Sequence, residues 1–311
     1  MLLKDKVAVI TGSGRGLGRS MALAMAKEGA KVVINDVGGS LDGAGSSVSP
    51  AVGVVTEIKQ AGGEAVANSD SVATPEGGES IIKCAVDNFG RVDILVNNAG
   101  ILRDRMLWNM SEEEWDAVLK VHLYGTFHCS RAVSGLMRQQ KSGRILCMTS
   151  LAGLQGSPGQ PNYSAAKAGI CGFVRSSALA LGRYGVTVNA IAPAAGTRMT
   201  SNVPDERMRE WALKEGWATE DEIAKLSPAE LLQKALGSPD DVAPIAVYLA
   251  SDRAANINGQ IIAASGGQIG LYCRLTEVKT IFKQGRWTQD ELAVIIPKTL
   301  ADNLKNPALS E

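Results

Sequence analysis

Near the middle of the 311-residue chain, three side chains have the types and spacing to move a proton at a carbon-bound oxygen. Tyr163 and Lys167 stand at i and i+4 on an Ala-rich segment that reads as a helix from about Asn162. Both therefore project from one face. Ser150 lies thirteen residues before Tyr163, at the carboxyl end of an apolar strand, Arg144 to Met148, with a Gly/Pro-rich loop between. A phenol with its ordinary pKa of ~10 is a poor base at neutral pH. An ammonium one turn away favours the phenolate and is expected to lower that value. Tyr163 can then accept the proton of an alcohol or give one to a carbonyl, while the Ser150 hydroxyl holds the same oxygen. The plainer reading is a helix tyrosine packed on a sheet beside a solvated lysine.

The elements upstream have to decide between these readings. Val7 to Thr11 is a short β-rich run that leads into Gly12-Ser13-Gly14-Arg15-Gly16-Leu17-Gly18 and an Ala/Met-rich helix to about Glu28. A strand, a glycine loop and a helix in that order let the backbone approach a pyrophosphate, with the helix N-terminus supplying N–H donors. Gly12, Ser13, Arg15, Gly16, Leu17 and Gly18 are the expected contacts. Asp36 ends the next strand, Lys31 to Asp36, where a carboxylate accepts from a ribose 2′-hydroxyl and repels a 2′-phosphate. This favours NAD over NADP, with the Arg15 guanidinium as the opposing signal.

A long Gly/Ser-rich loop, Val37 to Ser49, follows, and Ser49-Pro50 is expected to start a helix with Ser49 as its N-cap. Glu64 to Ser69 reads as a third strand. Asp70 at its end, beside Ser71, either contacts an adenine ring or caps the helix Pro75 to Phe89. A fourth strand, Val92 to Asn97, leads into Asn98-Ala99-Gly100, and the capping box Ser111 to Glu114 opens a long helix carrying His122 and His128. Further strands are expected at Val186 to Ala192, ending at Pro193, and at Gln260 to Ala264, after a helix that Ser238 caps.

Strand and helix alternate to about Gly270, so residues 1–270 are expected to form one α/β domain around a doubly wound parallel sheet with helices on both faces. Ser201 to Gly237 is a charged insertion with apolar residues at helical spacing, two short helices that serve as a lid or as an oligomer contact. Residues 271–311 form a C-terminal extension with a capped helix starting near Trp287.

Lys+Arg and Asp+Glu both number 32 and no basic tract is present. Nucleic acid and anionic membrane surfaces are therefore not expected as partners. No apolar run approaches membrane-spanning length. The absence of a signal peptide or a peroxisomal C-terminus, and five scattered cysteines read as buried and reduced, point to the cytoplasm. Two histidines without clustered acids or thiols argue against a catalytic metal.

With these residues in place the chain resembles the short-chain dehydrogenase/reductase family over nearly its whole length. The resemblance rests on Thr11-Gly12-x-x-x-Gly16-x-Gly18, Asn97-Asn98-Ala99-Gly100, Ser150, Tyr163-x-x-x-Lys167 and Pro193. It implies a Rossmann-type fold and a nicotinamide cofactor. Tyr163 would be the acid/base, Ser150 would orient the substrate oxygen, and Lys167 would tune the tyrosine and hold the nicotinamide ribose. Asn98, Ala99 and Gly100 would lie along the cofactor, with Pro193 and Thr197 beyond the sixth strand. His122 stands where many members carry an asparagine of a proton relay and is expected to serve that relay; otherwise it is a hydrogen-bonded buried histidine.

Val-Val-Ile-Asn-Asp-Val-Gly-Gly with its long loop, Val-His-Leu-Tyr-Gly-Thr-Phe and the C-terminal extension are similar to the (3R)-hydroxyacyl-CoA dehydrogenase unit of peroxisomal multifunctional enzymes. In those enzymes the extension reaches over the active site and supports a dimer. Ala194, Ser265 and the length of the Ser201–Gly237 insertion depart from the pattern. The resemblance thus implies a homodimer or homotetramer that oxidises a 3-hydroxyacyl-CoA with NAD. The alternatives are a dehydrogenase of a free cyclic, terpenoid or aromatic alcohol, a lyase or epimerase on the same fold, and a non-catalytic nicotinamide-binding subunit or sensor.

Overall fold

The computed structural model describes residues 1–195, 209–210, 212–213, 218–227, 230–231, 234, 237–273 and 275–304. The chain divides into two compact units, Met1–Tyr272 and Cys273–Glu311. The first alternates strand and helix: β1 (Val7–Thr11), α1 (Gly16–Lys27), β2 (Lys31–Asn35), α2 (Ser49–Gln60), β3 (Ala65–Asn68), α3 (Pro75–Phe89) and β4 (Ile94–Asn97). Next come α4 (Glu112–Leu119), a π-helical turn (Lys120–Tyr124), α5 (Gly125–Gln140), β5 (Gly143–Met148), α6 (Leu151–Gln155), α7 (Pro161–Leu181) and β6 (Val186–Pro193). After α8 (Glu220–Ile223) and α9 (Pro239–Ala250), β7 (Ile261–Ser265) and β8 (Gln268–Leu271) close the sheet.

The order across the sheet is β3-β2-β1-β4-β5-β6-β7-β8. Every pairing is parallel except β7 with β8. The chain starts at β1 and winds outward twice, so the β1/β4 boundary is where the winding reverses. A crevice opens at the carboxyl ends of strands there.

Alternation of side chains along each strand feeds two cores. Ala8, Ile10, Ile34, Ile94, Val96 and Leu146 pack with α1, α2 and α9 on one face. Val7, Val9, Val33, Leu95, Ile145 and Cys147 pack with α3, α5 and α7 on the other. The central strands are buried on both sides and so read as continuous apolar runs rather than alternating ones.

Several local expectations change. Ser49 is the first residue of α2 rather than its cap, and Val48 precedes it without a side-chain bond. The Ser47 hydroxyl accepts from the Ser49 N–H at 3.3 Å and shifts the start by one position. The Gly/Pro-rich loop after Ser150 contains the short helix α6, for which the Ser150 hydroxyl is the cap, accepting from Ala152 N–H. The helix that Ser111 caps does not run on unbroken, since the π-helical turn separates α4 from α5. The antiparallel β8 was not foreseen; two glycines, Gly266 and Gly267, both at positive φ, turn the chain back on β7.

In the insertion, Thr219 and Glu222 form a capping box on α8, and Ala212, Ala218, Ile223 and Leu231 make a small apolar cluster of their own. Met208, Trp211, Trp217 and Leu232 lie outside the described residues. In the second unit the expected helix is α10 (Gln289–Ile295), opened by a Thr288/Glu291 capping box. Cys129, Cys147 and Cys171 are buried, but Cys84 is half-buried and Cys273 is exposed, which corrects the expectation that all five thiols are interior.

Candidate active site

The glycine loop lies against the start of the β4–α4 connection. Thr11 Oγ1 accepts from the Asn98 and Ala99 N–H groups, both at 3.0 Å. The Asn98 amide donates to the Thr11 and Gly12 carbonyls, both at 2.9 Å. Asn98 is thus a fastener that holds the loop in shape. Gly12 has φ +62°, and a Cβ there would stand 2.7 Å from Ala99 Cα. Only glycine fits both the conformation and the approach.

A cleft of about 410 Å³ opens over this loop. Gly12, Arg15, Gly16, Leu17 and Gly18 form its floor, Asp36, Asp70 and Ser71 one side, and Asn98, Ala99 and Gly100 another. Ser13 departs from expectation: it is fully buried and its hydroxyl donates to the Ile10 carbonyl at 2.7 Å, so it shapes the loop from behind. The lining does not extend to Tyr163, Lys167 or Pro193, and Thr197 lies outside the described residues. The Asp36 carboxylate accepts from Gly14 N–H at 2.8 Å and Gly38 N–H at 2.7 Å, so its charge is fixed at the mouth of the cleft. Asp70 does not cap α3, because Thr74 does, accepting from Gly77 N–H at 3.1 Å. Asp70 instead accepts from Asn68 and Ser80 at 2.7 and 2.6 Å and stays on the cleft wall.

These features fit a dinucleotide. Gly16 borders open space, the N-terminus of α1 lines the cleft, and the Asp36 carboxylate is held at its mouth, able to accept from a ribose hydroxyl. Among the described residues no group of three or more His, Cys, Asp or Glu is placed to hold a metal ion.

Beside the cleft, α7 presents Tyr163 and Lys167. The Lys167 ammonium is buried, donates to the Met148 carbonyl at 2.6 Å and sits 5.4 Å from the centre of the Tyr163 ring. Burial draws it down to about 7. Burial also raises the Tyr163 phenol above its ordinary value, against a hydrogen bond from Ser150, with Asp104 adding to the rise. By spacing alone, Lys167 is expected to pull the tyrosine down. Desolvation dominates instead, and Lys167 is not among the groups that lower the phenol.

His122, 2% exposed, meets the Tyr163 ring edge-on at 5.1 Å between centroids. Its Nε2 is 3.1 Å from the Ile101 N–H and 2.8 Å from the Ile101 carbonyl, and either tautomer satisfies one of the two. Burial holds the imidazole well below its ordinary pKa, and Lys167 adds to this. His122 is therefore neutral, and its Nδ1 has no partner. His128 is buried, with Nδ1 3.0 Å from the Val72 carbonyl.

Residues that the sequence did not single out complete the cleft. Gly39, Ser40, Leu41 and Gly43, from the long loop after β2, form a wall with Ile101. Glycine and serine content signalled a loop, but nothing in it signalled that the loop turns back over the site. Arg209 donates to the Ile223 carbonyl at 2.7 Å.

Comparison with known proteins agrees with this geometry. The family profile described as short chain dehydrogenase matches residues 6–208. The chain is 43% identical over 265 residues to peroxisomal multifunctional enzyme type 2 of Mus musculus, covering 85% of this chain and 32% of that enzyme. It is 42% identical over 269 residues to a 3-oxoacyl-[acyl-carrier-protein] reductase of Synechocystis sp., covering 86% and 98%. The crystal structure of a short chain dehydrogenase from Mycobacterium avium superposes with a TM-score of 0.79 at 40% identity, covering 97% of this chain and 96% of that one.

Proposed function

The chain belongs to the short-chain dehydrogenase family of nicotinamide-dependent oxidoreductases, and on that premise we propose that it interconverts a secondary alcohol and a ketone with NAD, acting on a 3-hydroxyacyl thioester of coenzyme A. The observation that carries the reading is the convergence of Ser150, Tyr163 and Lys167 beside a cleft whose mouth holds the Asp36 carboxylate. The nicotinamide, when bound, supplies the hydride acceptor or donor. Tyr163 takes the hydroxyl proton in oxidation and returns it in reduction. Ser150, at the carboxyl end of β5, holds the substrate oxygen beside Tyr163. Lys167, held by the Met148 carbonyl, keeps its ammonium 5.4 Å from the centre of the tyrosine ring. Asp36 supports NAD, since its fixed charge opposes a 2′-phosphate.

The resemblance to the (3R)-hydroxyacyl-CoA dehydrogenase unit of peroxisomal multifunctional enzymes supports the coenzyme A thioester, although this chain spans only 32% of the mouse enzyme. A second reading, reduction of a 3-oxoacyl thioester on a carrier protein, is favoured by the Synechocystis reductase, which the match covers almost end to end.

Exposed Tyr124, Phe127 and Leu179 on neighbouring helical segments support a homo-oligomer. Among the described residues no helix is long and apolar enough to cross a membrane. The test is NADH formation, and NADH consumption in reverse, on coenzyme A thioesters of both hydroxyl configurations, carrier-protein thioesters and free cyclic alcohols. Turnover confined to coenzyme A thioesters and reduced about 10²- to 10⁴-fold by Tyr163→Phe is the expected result. Turnover confined to free alcohols, or untouched by the substitution, overturns the proposal.

A further inference from the structure

Five consecutive residues, Ile101 to Arg105, join the wall of the cofactor cleft to the start of the helix that carries Tyr163. On the cleft side, Leu102 N–H donates to the Leu41 carbonyl at 2.9 Å. Arg103 Nε donates to the Asp42 carbonyl, also at 2.9 Å. A Cβ on Gly43 would lie 3.2 Å from Ile101 Cδ1, so loop and segment are in close contact. On the other side, Arg105 N–H donates to the Gly159 carbonyl at 2.7 Å. The Gln160 amide donates to the Asp104 carboxylate at 2.9 Å. Asn162, fully buried, donates to the Arg103 carbonyl at 2.9 Å and the Glu114 carbonyl at 3.1 Å, and accepts from Tyr163 N–H at 2.7 Å. Beneath the segment, His122 holds the Ile101 backbone.

Arg103 is the residue common to both sides. Its guanidinium grips the cofactor loop, and its carbonyl is held by Asn162, whose own oxygen fixes the Tyr163 backbone. We infer that Arg103 is a positioning residue, and that Ile101–Arg105 is a strap that ties the 38–45 loop of the nucleotide cleft to the placement of Tyr163. A loop that gains contacts with bound nucleotide transmits that gain only if it is tied to something that also changes at the second site. The strap supplies that tie with directional hydrogen bonds at both ends. Coupling of this kind is reciprocal, so loosening the tyrosine end must weaken nucleotide binding. The inference rests on the nicotinamide-dependent reading given above.

The test measures the NADH dissociation constant by fluorescence of the binary complex, and kcat at saturating NADH with the ketone identified in the substrate panel. It uses the full-length chain and Arg103→Met, Arg103→Lys, Asn162→Ala, Gln160→Ala and Glu113→Gln. Arg103→Met is expected to raise the NADH Kd about 3- to 10-fold, the equivalent of one lost hydrogen bond, and to lower kcat as well. Arg103→Lys, which keeps a donor for the Asp42 carbonyl, should recover most of both losses. Asn162→Ala should raise the NADH Kd although it lies outside the cleft lining, with Gln160→Ala giving a smaller change of the same sign should the buried substitution fail to fold. Glu113→Gln removes only the 3.0 Å ion pair on the exposed side of Arg103 and should leave both quantities unchanged. A raised Kd with unchanged kcat in Arg103→Met, or an unchanged Kd in both Asn162→Ala and Gln160→Ala, overturns the strap. A wild-type chain that binds no NADH fails the underlying function instead, and is recognised before any variant is measured.

Discussion

Burial sets the state of the groups around Tyr163 more than their mutual attraction does. Lys167 falls from an ordinary 10.5 to about 7 on folding, so between those values the unfolded chain holds a proton that the folded chain does not. Stability from this group is full above the unfolded value and is lost as the pH falls to about 7. Lys167→Met removes that loss. The variant should unfold at a higher temperature than wild type near neutral pH, by a margin that narrows as the pH rises toward 10.5. Thermal unfolding across that range checks it, and a margin that is absent near pH 7 or widens upward contradicts it. His122 is fixed neutral by burial and by the neighbouring lysine. Its ring resonances in NMR spectra should therefore show no titration between about pH 5 and 8, in contrast to an ordinary histidine.

At the scale of elements, the site depends on how a loop and an interrupted helix meet. The glycine loop is held by Thr11 and Asn98, and Gly12 cannot carry a side chain without striking the backbone of Ala99. Gly12→Ala is expected to cost about 1–3 kcal/mol of stability and to weaken NADH binding, measured by denaturant unfolding and by titration. A variant as stable as wild type would mean that the loop relaxes freely. The π-helical turn between α4 and α5 contains His122 and brings it under Ile101 and against Tyr163. Such turns collect at functional sites because one extra residue in the helix re-aims a side chain. The capping box on α4 and the Pro75 start of α3 were readable because caps and proline act within four residues. The π-helical turn was not, because its stabilising contacts come from Ile101 and α7.

For the molecule as a whole, the eight-stranded sheet and both of its cores lie within Met1–Tyr272. In the second unit Leu275, Val278 and Phe282 are each about nine-tenths exposed, so that unit has little core of its own. A chain ending at Tyr272 should fold with a single cooperative transition and keep its NADH affinity within about threefold, since the nucleotide groups all belong to the first unit. Circular dichroism on heating and NADH titration test this. Loss of the cooperative transition would place part of the first unit's stability in residues 273–311.

The chain's own order of residues was enough for the alternation of strands and helices, and for placing the glycine loop after β1, Asp36 after β2, Ser150 after β5 and Tyr163 with Lys167 on one helix. Those features are written in local periodicity, caps and short spacings, which act over a few residues. Which way Ser13 faces, that Thr74 rather than Asp70 caps α3, and that β8 turns back antiparallel were settled only by the folded chain, as were the lowering of Lys167 by burial and the hydrogen bonds that run from Leu41 to Asn162. Each depends on groups tens of residues apart being brought within hydrogen-bonding distance or taken out of water together. No local pattern records an energy that exists only once distant segments share one interior.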